Sequence, residues 1–294
     1  MTEGRRRQTH EKKKRRRSLC RRPWFWLLLL AVCAGLFWWE QNAISTETIE
    51  VTGCPAAFDG LRIVVVSDLH GKRFGRDNER LIRKTAALKP DLIAITGDLI
   101  DAMDQVTLVP AVAAGLSAIA PTYYVTGNHE WSSNVLPVMK QLKKTLADNG
   151  VTVLSNQYVL MKKDGQTLIL AGAEDSNGRA GQKSVAQLAA EARAEAGNGA
   201  YLVLLSHRNT RYAQYADARV DLTLAGHAHG GQIRLPFTDG LIGPNREWFP
   251  QYTAGLYQLK YGQMVVSRGL GDKLPAFRLF NLPDLPLVIL RAGA

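Results

Sequence analysis

Aspartate, asparagine and histidine side chains recur directly after short apolar runs of this 294-residue chain. An Asp-x-His pattern follows the run RIVVVS, a His-x-His pattern follows LTLAG, and a further histidine follows YLVLLS. An Asp-x-His pattern alone is more often structural than metal-binding, and a His-x-His pattern alone is as often one as the other, but their concurrence after successive runs is improbable by chance. The side chains concerned are Asp68, His70, Asp98, Asn128, His129, His207, His227 and His229.

These donors indicate which ions would bind. Nitrogen and oxygen ligands without a thiolate favour manganese, iron or zinc, and this many imidazoles do not suit calcium or magnesium. The chain has three cysteines, none of them among the donors, so a cysteine-based zinc site is not indicated. Two carboxylates facing two divalent ions leave a net positive charge, which attracts phosphate.

The apolar runs predict strands that carry these residues at their carboxyl ends. Thirty residues separate Asp68 from Asp98, and thirty more lead to Asn128, which fits one strand–helix–strand unit each. In open α/β sheets the site lies outside the carboxyl ends of the strands. The alternation, followed by a strand-rich end, predicts a layered α/β fold with mixed sheets. We expect strands over 61–67, 91–97, 122–127, 151–154, 201–206, 221–226, 253–260, 264–267 and 285–290, a hairpin over 158–171, and helices over 77–88, 106–118, 133–147, 182–196 and 209–216.

Five motifs around these residues carry a family resemblance. In chain order they are Asp68-Leu69-His70, Gly97-Asp98, Gly127-Asn128-His129-Glu130, His207 and Gly226-His227-Ala228-His229. Over residues 61–229 the chain thereby resembles the calcineurin-like metallophosphoesterases. The segments GHAHGGQIRLP and SRGLG resemble the membrane-anchored bacterial branch that includes the YkuE and YaeI phosphoesterases, and widen the match to residues 47–290. The resemblance implies a four-layer αββα sandwich around a two-metal centre.

The resemblance also implies which residues bind the metals. Two divalent transition-metal ions would share one bridging carboxylate, that of Asp98. One ion would be held by Asp68, His70 and His229, and the other by Asn128, His207 and His227. Such a pair clamps the phosphoryl oxygens and activates a bridging hydroxide for in-line attack.

Two further residues are implied to act in catalysis. His129 would lie near the leaving-group oxygen and stabilise or protonate it, a step typically worth about 10²–10⁴-fold in rate. Asp101, three residues after Asp98, matches the position that orients this histidine in related phosphatases. Glu130 is expected to support the turn and is assigned no chemistry.

Three arginines have less definite roles. Arg234 and Arg268 either contact a substrate phosphate or form ion pairs, and the second role is the more common one. The chain has Arg208-Asn209-Thr210 after His207, where the branch usually has asparagine or glutamate followed by proline. This departure concerns substrate contacts, because the histidine ligand is kept.

Three aromatic residues also have two interpretations. Trp248, Phe249 and Tyr252 either line a pocket for the organic part of a substrate or pack within loops. The chain contains neither a Gly-x-Gly-x-x-Gly sequence nor a Walker sequence. A dinucleotide oxidoreductase and an NTPase are therefore not supported.

The first 22 residues carry most of the positive charge. Eleven Lys and Arg residues against Glu3 and Glu11 give this leader +9 of the formal +11, so the rest of the chain is nearly neutral. The high isoelectric point therefore does not indicate a nucleic-acid-binding domain, and we expect no nucleic-acid partner. A nuclear-localisation or nucleic-acid-binding tract is the alternative for the leader itself.

Residues 24–39 (WFWLLLLAVCAGLFWW) contain no charged side chain. A membrane-spanning helix needs about 20 apolar residues and a signal-peptide core about 7–15, so this segment falls between them. Aromatic clusters at both ends favour a transmembrane anchor. Cleavage at Ala43-Ile44-Ser45 and twin-arginine export through Arg21-Arg22 are the alternatives.

The charge distribution predicts a topology. By the positive-inside rule the N-terminus is cytoplasmic, and residues 40–294 lie on the outer face of the inner (cytoplasmic) membrane. We expect a cytoplasmic leader over 1–22, a single transmembrane anchor over 23–39, a linker over 40–60, and a metallophosphoesterase domain over 61–294.

These expectations converge on a metal-dependent phosphodiesterase that acts near the membrane. We expect a monomer whose substrate is a phosphoester, lipid-linked or not. One alternative is a UDP-2,3-diacylglucosamine pyrophosphatase of lipid A biosynthesis, but that substrate is cytoplasmic whereas the charge pattern places the domain outside. Another alternative is a metal-binding scaffold without activity, which the presence of every motif residue disfavours.

Overall fold

The computed structural model describes residues 23–178, 181–235, 239–272 and 277–293. The chain divides into two compact units, Met1–Trp39 and Glu40–Ala294. The described part of the first unit belongs to helix α1, Pro23–Asn42, which is long and apolar enough to cross a membrane and buries none of its residues. The basic leader, with its twin-arginine pair, lies outside the described residues.

The second unit contains two six-stranded sheets. The first sheet consists of β1 (Thr48–Cys54), β2 (Arg62–Val66), β3 (Leu92–Ile95), β4 (Thr122–Tyr124), β5 (Val151–Val153) and β12 (Leu287–Ala292). Its strand order is β1-β12-β2-β3-β4-β5, and β2 to β5 are parallel. Strand β12 runs antiparallel to β2 and parallel to β1.

The second sheet is also mixed. It consists of β6 (Gln157–Lys163), β7 (Gln166–Gly172), β8 (Tyr201–Arg208), β9 (Leu222–Gly226), β10 (Gly255–Gln258) and β11 (Gln263–Val266). Its order is β10-β11-β9-β8-β7-β6, with β11, β9, β8 and β7 parallel and an antiparallel strand at each edge. In both sheets the motif residues lie at the carboxyl ends of parallel strands.

Alternating side chains of the strands build four layers. Ile63 and Val65 of β2 are buried between the sheets together with Leu224 of β9. Their neighbour Val64 packs instead with helix residues such as Leu142 on the outer face of the first sheet. The outer face of the second sheet packs against two further helices. The helices are α2 (Glu79–Ala87), α3 (Val109–Ser117), α4 (Met139–Asp148), α5 (Val185–Ala196) and α6 (Tyr212–Asp217). The predicted αββα sandwich is confirmed.

Strand β1 lies in the segment that the sequence analysis treats as a linker. It pairs with β12 from Thr48 opposite Leu287 to Thr52 opposite Arg291. Ile49 and Val51 are buried, while Thr48, Glu50 and Thr52, which alternate with them, are exposed. The alternating apolar residues of this segment form an edge strand of the folded unit, so the prediction of a linker over residues 40–60 is corrected.

Helices α2 to α6 all begin later than their sequence patterns predict, and the largest difference is in α4, which begins at Met139 rather than at residue 133. A 3₁₀ turn over Met103–Leu108 precedes α3. Helix α5 begins after Ser184, whose hydroxyl accepts a hydrogen bond from Gln187 N at 3.2 Å, while the Gln187 side chain accepts one from Ser184 N. This reciprocal pair is a capping box, which fixes the first turn of the helix.

Candidate metal centre

Strand ends from both sheets bring the eight donor residues together. The first sheet supplies Asp68 and His70 after β2, Asp98 after β3, and Asn128 and His129 after β4, and the second supplies His207 in β8 and His227 and His229 after β9. Asn128 and His129 are half-buried, and the other six residues are buried. The site therefore lies where the carboxyl ends of parallel strands from the two sheets meet.

Asp68, His70 and His229 form one cluster of potential ligands. His70 Nε2 lies 3.2 Å from His229 Nε2, and Asp68 Oδ1 lies 3.6 Å from His229 Nε2 and 3.9 Å from His70 Nε2. His70 Nδ1 is 2.6 Å from Asp101 Oδ1. Because Nδ1 donates a hydrogen bond to that carboxylate, the lone pair of Nε2 faces the cluster.

Asp98, His207 and His227 form a second cluster, which Asn128 joins. His207 Nδ1 donates a hydrogen bond to the carbonyl oxygen of Thr96 at 2.9 Å, so its Nε2 presents a lone pair in the neutral ring. That Nε2 lies 3.0 Å from Asn128 Oδ1, 3.1 Å from His227 Nδ1 and 3.2 Å from Asp98 Oδ2. Four atoms with acceptor lone pairs thus converge in one buried place.

This convergence of acceptors fits a metal cation. Asp98 Oδ2 is buried without a hydrogen-bond partner, an arrangement that costs free energy unless a cation satisfies this oxygen. Burial lowers the pKa of His207, but the charge of Asp98 outweighs it and raises that pKa to about 10. Burial and the charge of His207 hold the pKa of His227 well below its usual value. The cluster therefore attracts positive charge and keeps one imidazole neutral for ligation.

Asp98 lies between the two clusters. Its Oδ2 is 3.2 Å from His207 Nε2 and 3.9 Å from both His70 Nε2 and His129 Nε2. Its Oδ1 accepts a hydrogen bond from His129 N at 2.8 Å, which fixes the orientation of the carboxylate. This position suits a carboxylate shared by two ions, and the bridging role stays a prediction.

Asp101 contacts both His70 and His129. Its Oδ1 lies 2.6 Å from His70 Nδ1 and 2.7 Å from His129 Nδ1, and the two rings are nearly perpendicular. Burial raises the pKa of Asp101, but its hydrogen bonds with His129 and His70 outweigh that effect and lower the pKa well below its usual value. The ionised carboxylate therefore holds a proton on each Nδ1 and directs both Nε2 atoms into the site.

Asp272 and Arg278 extend the site behind His229, and sequence reasoning missed both. Asp272 Oδ1 lies 3.5 Å from His229 Nδ1, and its Oδ2 accepts a hydrogen bond from Arg278 Nε at 2.6 Å. Burial raises the pKa of Asp272, but the charge of Arg278 lowers it to about 2. The only signal for this carboxylate is its place directly after the SRGLG sequence.

Glu130 holds the loops after β3 and β4 together. Its carboxylate accepts hydrogen bonds from Asp98 N at 2.9 Å, Leu99 N at 2.6 Å and Gly127 N at 2.7 Å. Burial and the charge of Asp98 raise the pKa of Glu130 to about 7 despite these donors. The contacts agree with a supporting role for this residue.

The backbone of the site is unusual at the donor residues. A left-handed conformation in a non-glycine residue costs about 1–3 kcal/mol where the surroundings impose it. Such positive φ angles occur at Asp68 (51°), His70 (49°), Asp98 (52°), His227 (69°) and His229 (48°). The loops are also packed against each other, since a Cβ on Gly226 would lie 1.9 Å from Ser67 Oγ and one on Gly127 would lie 2.1 Å from Asp98 Oδ1.

The two clusters open into a cleft of about 790 Å³. Arg208 lines this cleft beside the donor residues and is held by Asp175 through hydrogen bonds of 2.7 Å and 3.2 Å. Asn177, Arg246 and Phe277 line other parts of it. The sequence departure after His207 therefore places a fixed guanidinium in the cleft wall.

The other two arginines with open roles form structural contacts. Arg234 donates hydrogen bonds to Gly230 O at 3.0 Å and to Thr253 Oγ1 at 3.1 Å. Arg268 is paired with Asp284 Oδ1 at 3.2 Å. Neither arginine lines the cleft, so these contacts favour the structural interpretation.

The three aromatic residues differ in their surroundings. Tyr252 packs its ring against Tyr212 and Tyr257 at centroid distances of 4.7 Å and 4.9 Å. Trp248 and Phe249 do not line the cleft and are exposed. Ordinary packing thus accounts for Tyr252 but not for Trp248 and Phe249.

Comparison with known proteins assigns the family. The family profile described as calcineurin-like phosphoesterase matches residues 61–231, so the chain belongs to that family and is a metallophosphoesterase. The metallophosphoesterase YkuE of Bacillus subtilis (strain 168) is 30% identical to it over 86% of this chain and 87% of that protein. The phosphodiesterase YaeI of Escherichia coli (strain K12) is 30% identical over 77% of this chain and 81% of that protein. The family resemblance predicted from the motifs is confirmed.

A eukaryotic relative shares the same domain. A transmembrane protein with a metallophosphoesterase domain from Bos taurus is 29% identical over 86% of this chain and 58% of its own length. The family normally binds divalent metals, and the clusters of aspartate and histidine described above are the candidate sites in this chain.

Proposed function

We propose that this enzyme is a phosphodiesterase with two divalent transition-metal ions, manganese, iron or zinc. The observation that carries the proposal is the convergence of potential ligand atoms in two neighbouring clusters, with Asp98 of the second cluster 3.9 Å from His70 of the first. Asp68, His70 and His229 would hold one ion, and Asn128, His207 and His227 the other. When bound, the two ions would clamp the phosphoryl oxygens and lower the pKa of a water for in-line attack.

The residues beside the metal centre position the substrate and move a proton. His129 keeps a proton on Nδ1 through Asp101, so its Nε2 is the atom that meets the leaving-group oxygen. A proton on Nε2 passes to that oxygen as the ester bond breaks. Arg208, fixed by Asp175 in the cleft wall, neutralises part of the phosphate charge.

The same proposal includes the membrane. Residues 1–22 form a cytoplasmic leader, residues 23–39 the single anchor, and the catalytic unit lies on the outer face of the inner membrane. The length and composition of α1 and the charge of the leader support this topology. Because β1 is part of the first sheet, we place the start of the catalytic domain near residue 40 and treat no long segment as a linker.

Hydrolysis of two substrates tests the proposal. The purified full chain with added Mn²⁺ is expected to hydrolyse an aryl phosphodiester. Absence of hydrolysis with manganese, with iron and with zinc would refute the proposed phosphodiesterase activity. Incubation with UDP-2,3-diacylglucosamine tests the alternative, since both reactions use the same attack on phosphorus. Release of UMP much faster than aryl diester hydrolysis would favour the lipid A pyrophosphatase and would require a cytoplasmic active site.

A further inference from the structure

Four exposed aromatic side chains are concentrated in one part of the second unit. Within the part of residues 40–293 that the structure describes, every exposed tryptophan, phenylalanine or tyrosine belongs to this set. Their exposed fractions are 70% for Phe249, 67% for Trp248, 63% for Phe280 and 48% for Phe277. We call these four residues the aromatic rim. A local concentration of exposed apolar rings indicates an interaction surface.

The loops that carry the rim are joined by backbone hydrogen bonds. Phe249 N donates to Leu241 O at 3.0 Å, and Arg234 N donates to Leu279 O at 2.9 Å. Ile233 bridges to Leu279, and Ile242 bridges to Trp248. The segment with Trp248 and Phe249, which follows His229 in the chain, is therefore joined to the segment with Phe280.

Two rim residues are held in an outward conformation at a cost. Phe249 and Phe280 both have φ of 54°, in the left-handed region that bulky residues rarely adopt. Between the two phenylalanines of the second loop, the Arg278 side chain is completely buried and paired with Asp272. The structure thus anchors this segment through the arginine and leaves the Phe280 side chain 63% exposed.

The first residues of the second unit are bound to the same loop. Gln41 Nε2 donates to Arg278 O at 2.7 Å, and Arg278 N donates to Gln41 Oε1 at 2.9 Å. Asn281 N donates to Glu40 Oε1 at 3.0 Å. Glu40 directly follows the apolar segment that ends in Trp38-Trp39. The residues that directly follow the apolar segment are therefore hydrogen-bonded to the segment that carries Phe277 and Phe280.

The rim also adjoins the metal centre. Phe277 lines the cleft together with Ile233, Ile242 and Arg246, and the same cleft contains His129 and His229. A molecule whose phosphate lies at the metal site would have its organic part directed past Ile233 and Ile242 towards Phe277 of the rim.

We propose that the aromatic rim inserts into the headgroup region of the bilayer that holds the anchor, and that the cleft takes a phosphoester whose apolar part stays in that bilayer. Aromatic rings settle at the membrane–water interface, and a nearby arginine such as Arg246 favours anionic headgroups. The residues that follow the apolar segment are hydrogen-bonded to Arg278 and Asn281, next to the rim residues Phe277 and Phe280. This contact favours a bilayer, rather than a second copy of the chain, as the partner of the rim. The substrate class rests on the proposed phosphodiesterase function, whereas the insertion of the rim does not.

A fluorescent label on the rim tests the insertion. The full chain, with Cys20→Ser and Cys33→Ala, is labelled with a polarity-sensitive dye at Phe280→Cys or, as a second position, at Phe249→Cys. The matched control is Asp164→Cys, which lies at the exposed tip of the β6–β7 hairpin. Each protein is reconstituted in nanodiscs of phosphatidylcholine and phosphatidylglycerol that contain a lipid with a nitroxide near its headgroup.

The expected result is a blue-shifted emission and several-fold stronger nitroxide quenching at both rim positions than at the control. Equal quenching at rim and control would overturn the proposal. A blue shift that appears in detergent without lipid and grows with protein concentration would also overturn it, since it would show that a second copy covers the rim. Hydrolysis of an aryl phosphodiester by the same labelled proteins reports the proposed function separately.

Discussion

The carboxylate of Asp101 binds the ring of His129, with Oδ1 2.7 Å from Nδ1. The same oxygen lies 2.6 Å from His70 Nδ1. One carboxylate therefore orients a ring that is proposed to bind metal and a ring that is proposed to donate a proton. The proposed metal ligand His70 and the proposed proton donor His129 are therefore positioned by the same oxygen atom.

Removal of His129 should separate catalysis from metal binding. The His129→Ala variant keeps all seven proposed metal ligands, which are three for each ion and the bridging Asp98. Its metal content should therefore be unchanged. The rate on an alkyl phosphodiester should fall by about 10²–10⁴-fold, since a poor leaving group needs a proton. The fall should be much smaller on an aryl diester, whose leaving group is stable without one. Full activity of the variant on the alkyl diester would disprove the assigned role.

Replacement of Asp101 should affect both rings at once. Asp101→Asn removes the charge that fixes a proton on each Nδ1, so we expect a lower kcat together with weaker binding of one metal ion. The measurements are kcat on the alkyl diester and metal content after dialysis. Asp104→Asn is the matched control, because Asp104 is exposed and lies in the same loop. A loss of kcat with both ions still tightly bound would show that Asp101 does not support His70.

Loss of a ligand should remove metal and activity together. Asp98→Asn weakens the proposed bridge and is expected to lower the occupancy of both sites, whereas His229→Ala should empty mainly the site shared with Asp68 and His70. Elemental analysis of the purified variants gives the number of ions per chain. An Asp98→Asn protein that keeps about two ions per chain and full activity would contradict the bridging role.

The sequence predicts the donors well because their signal is local. The strands before Asp68, Asp98 and His227 are buried on both faces and therefore appear as predominantly apolar runs, and the donors follow directly after those runs. Asp68, His70 and His227 illustrate this, since the strands before them were predicted to within two residues at their ends. The metal assignments remain predictions that rest on the family motifs and the geometry.

The missed features depend on contacts between distant parts of the chain. Strand β1 near the start of the second unit pairs with β12 near its end. Neither sequence segment contains a local pattern that identifies the other as its pairing partner. Asp272 supports His229 only because Arg278, six residues later, folds back to it. No local pattern distinguishes such a buried pair from two ordinary surface charges.

Arg278 should be essential for stability as well as for the position of His229. Its guanidinium is completely buried, pairs with Asp272, and donates to the carbonyl oxygens of Arg268 and Gly271, both at 2.8 Å. In Arg278→Met these buried acceptors lose their partner, which should lower the free energy of unfolding by about 3–5 kcal/mol.

Chemical denaturation of the catalytic unit measures the stability effect of Arg278→Met. Arg291→Met is the matched control, since Arg291 pairs with Glu50 at the exposed end of β12. We expect no measurable change in that variant, because exposed ion pairs contribute little. Similar unfolding midpoints for Arg278→Met and the unmodified chain would refute the structural role of this arginine.

The last prediction concerns the side of the membrane on which the site lies. The eleven basic residues before the apolar segment and the acidic residues after it predict that the N-terminus is cytoplasmic. Alkaline phosphatase fused to the C-terminus should therefore be active in intact bacterial cells, because it folds only outside the cytoplasm. In a matched variant the basic residues of the leader are changed to glutamine, and the fusion should lose much of its activity as orientation becomes mixed. An inactive phosphatase fusion, together with a fluorescent C-terminal GFP fusion, would place the site in the cytoplasm, where UDP-linked lipid precursors occur.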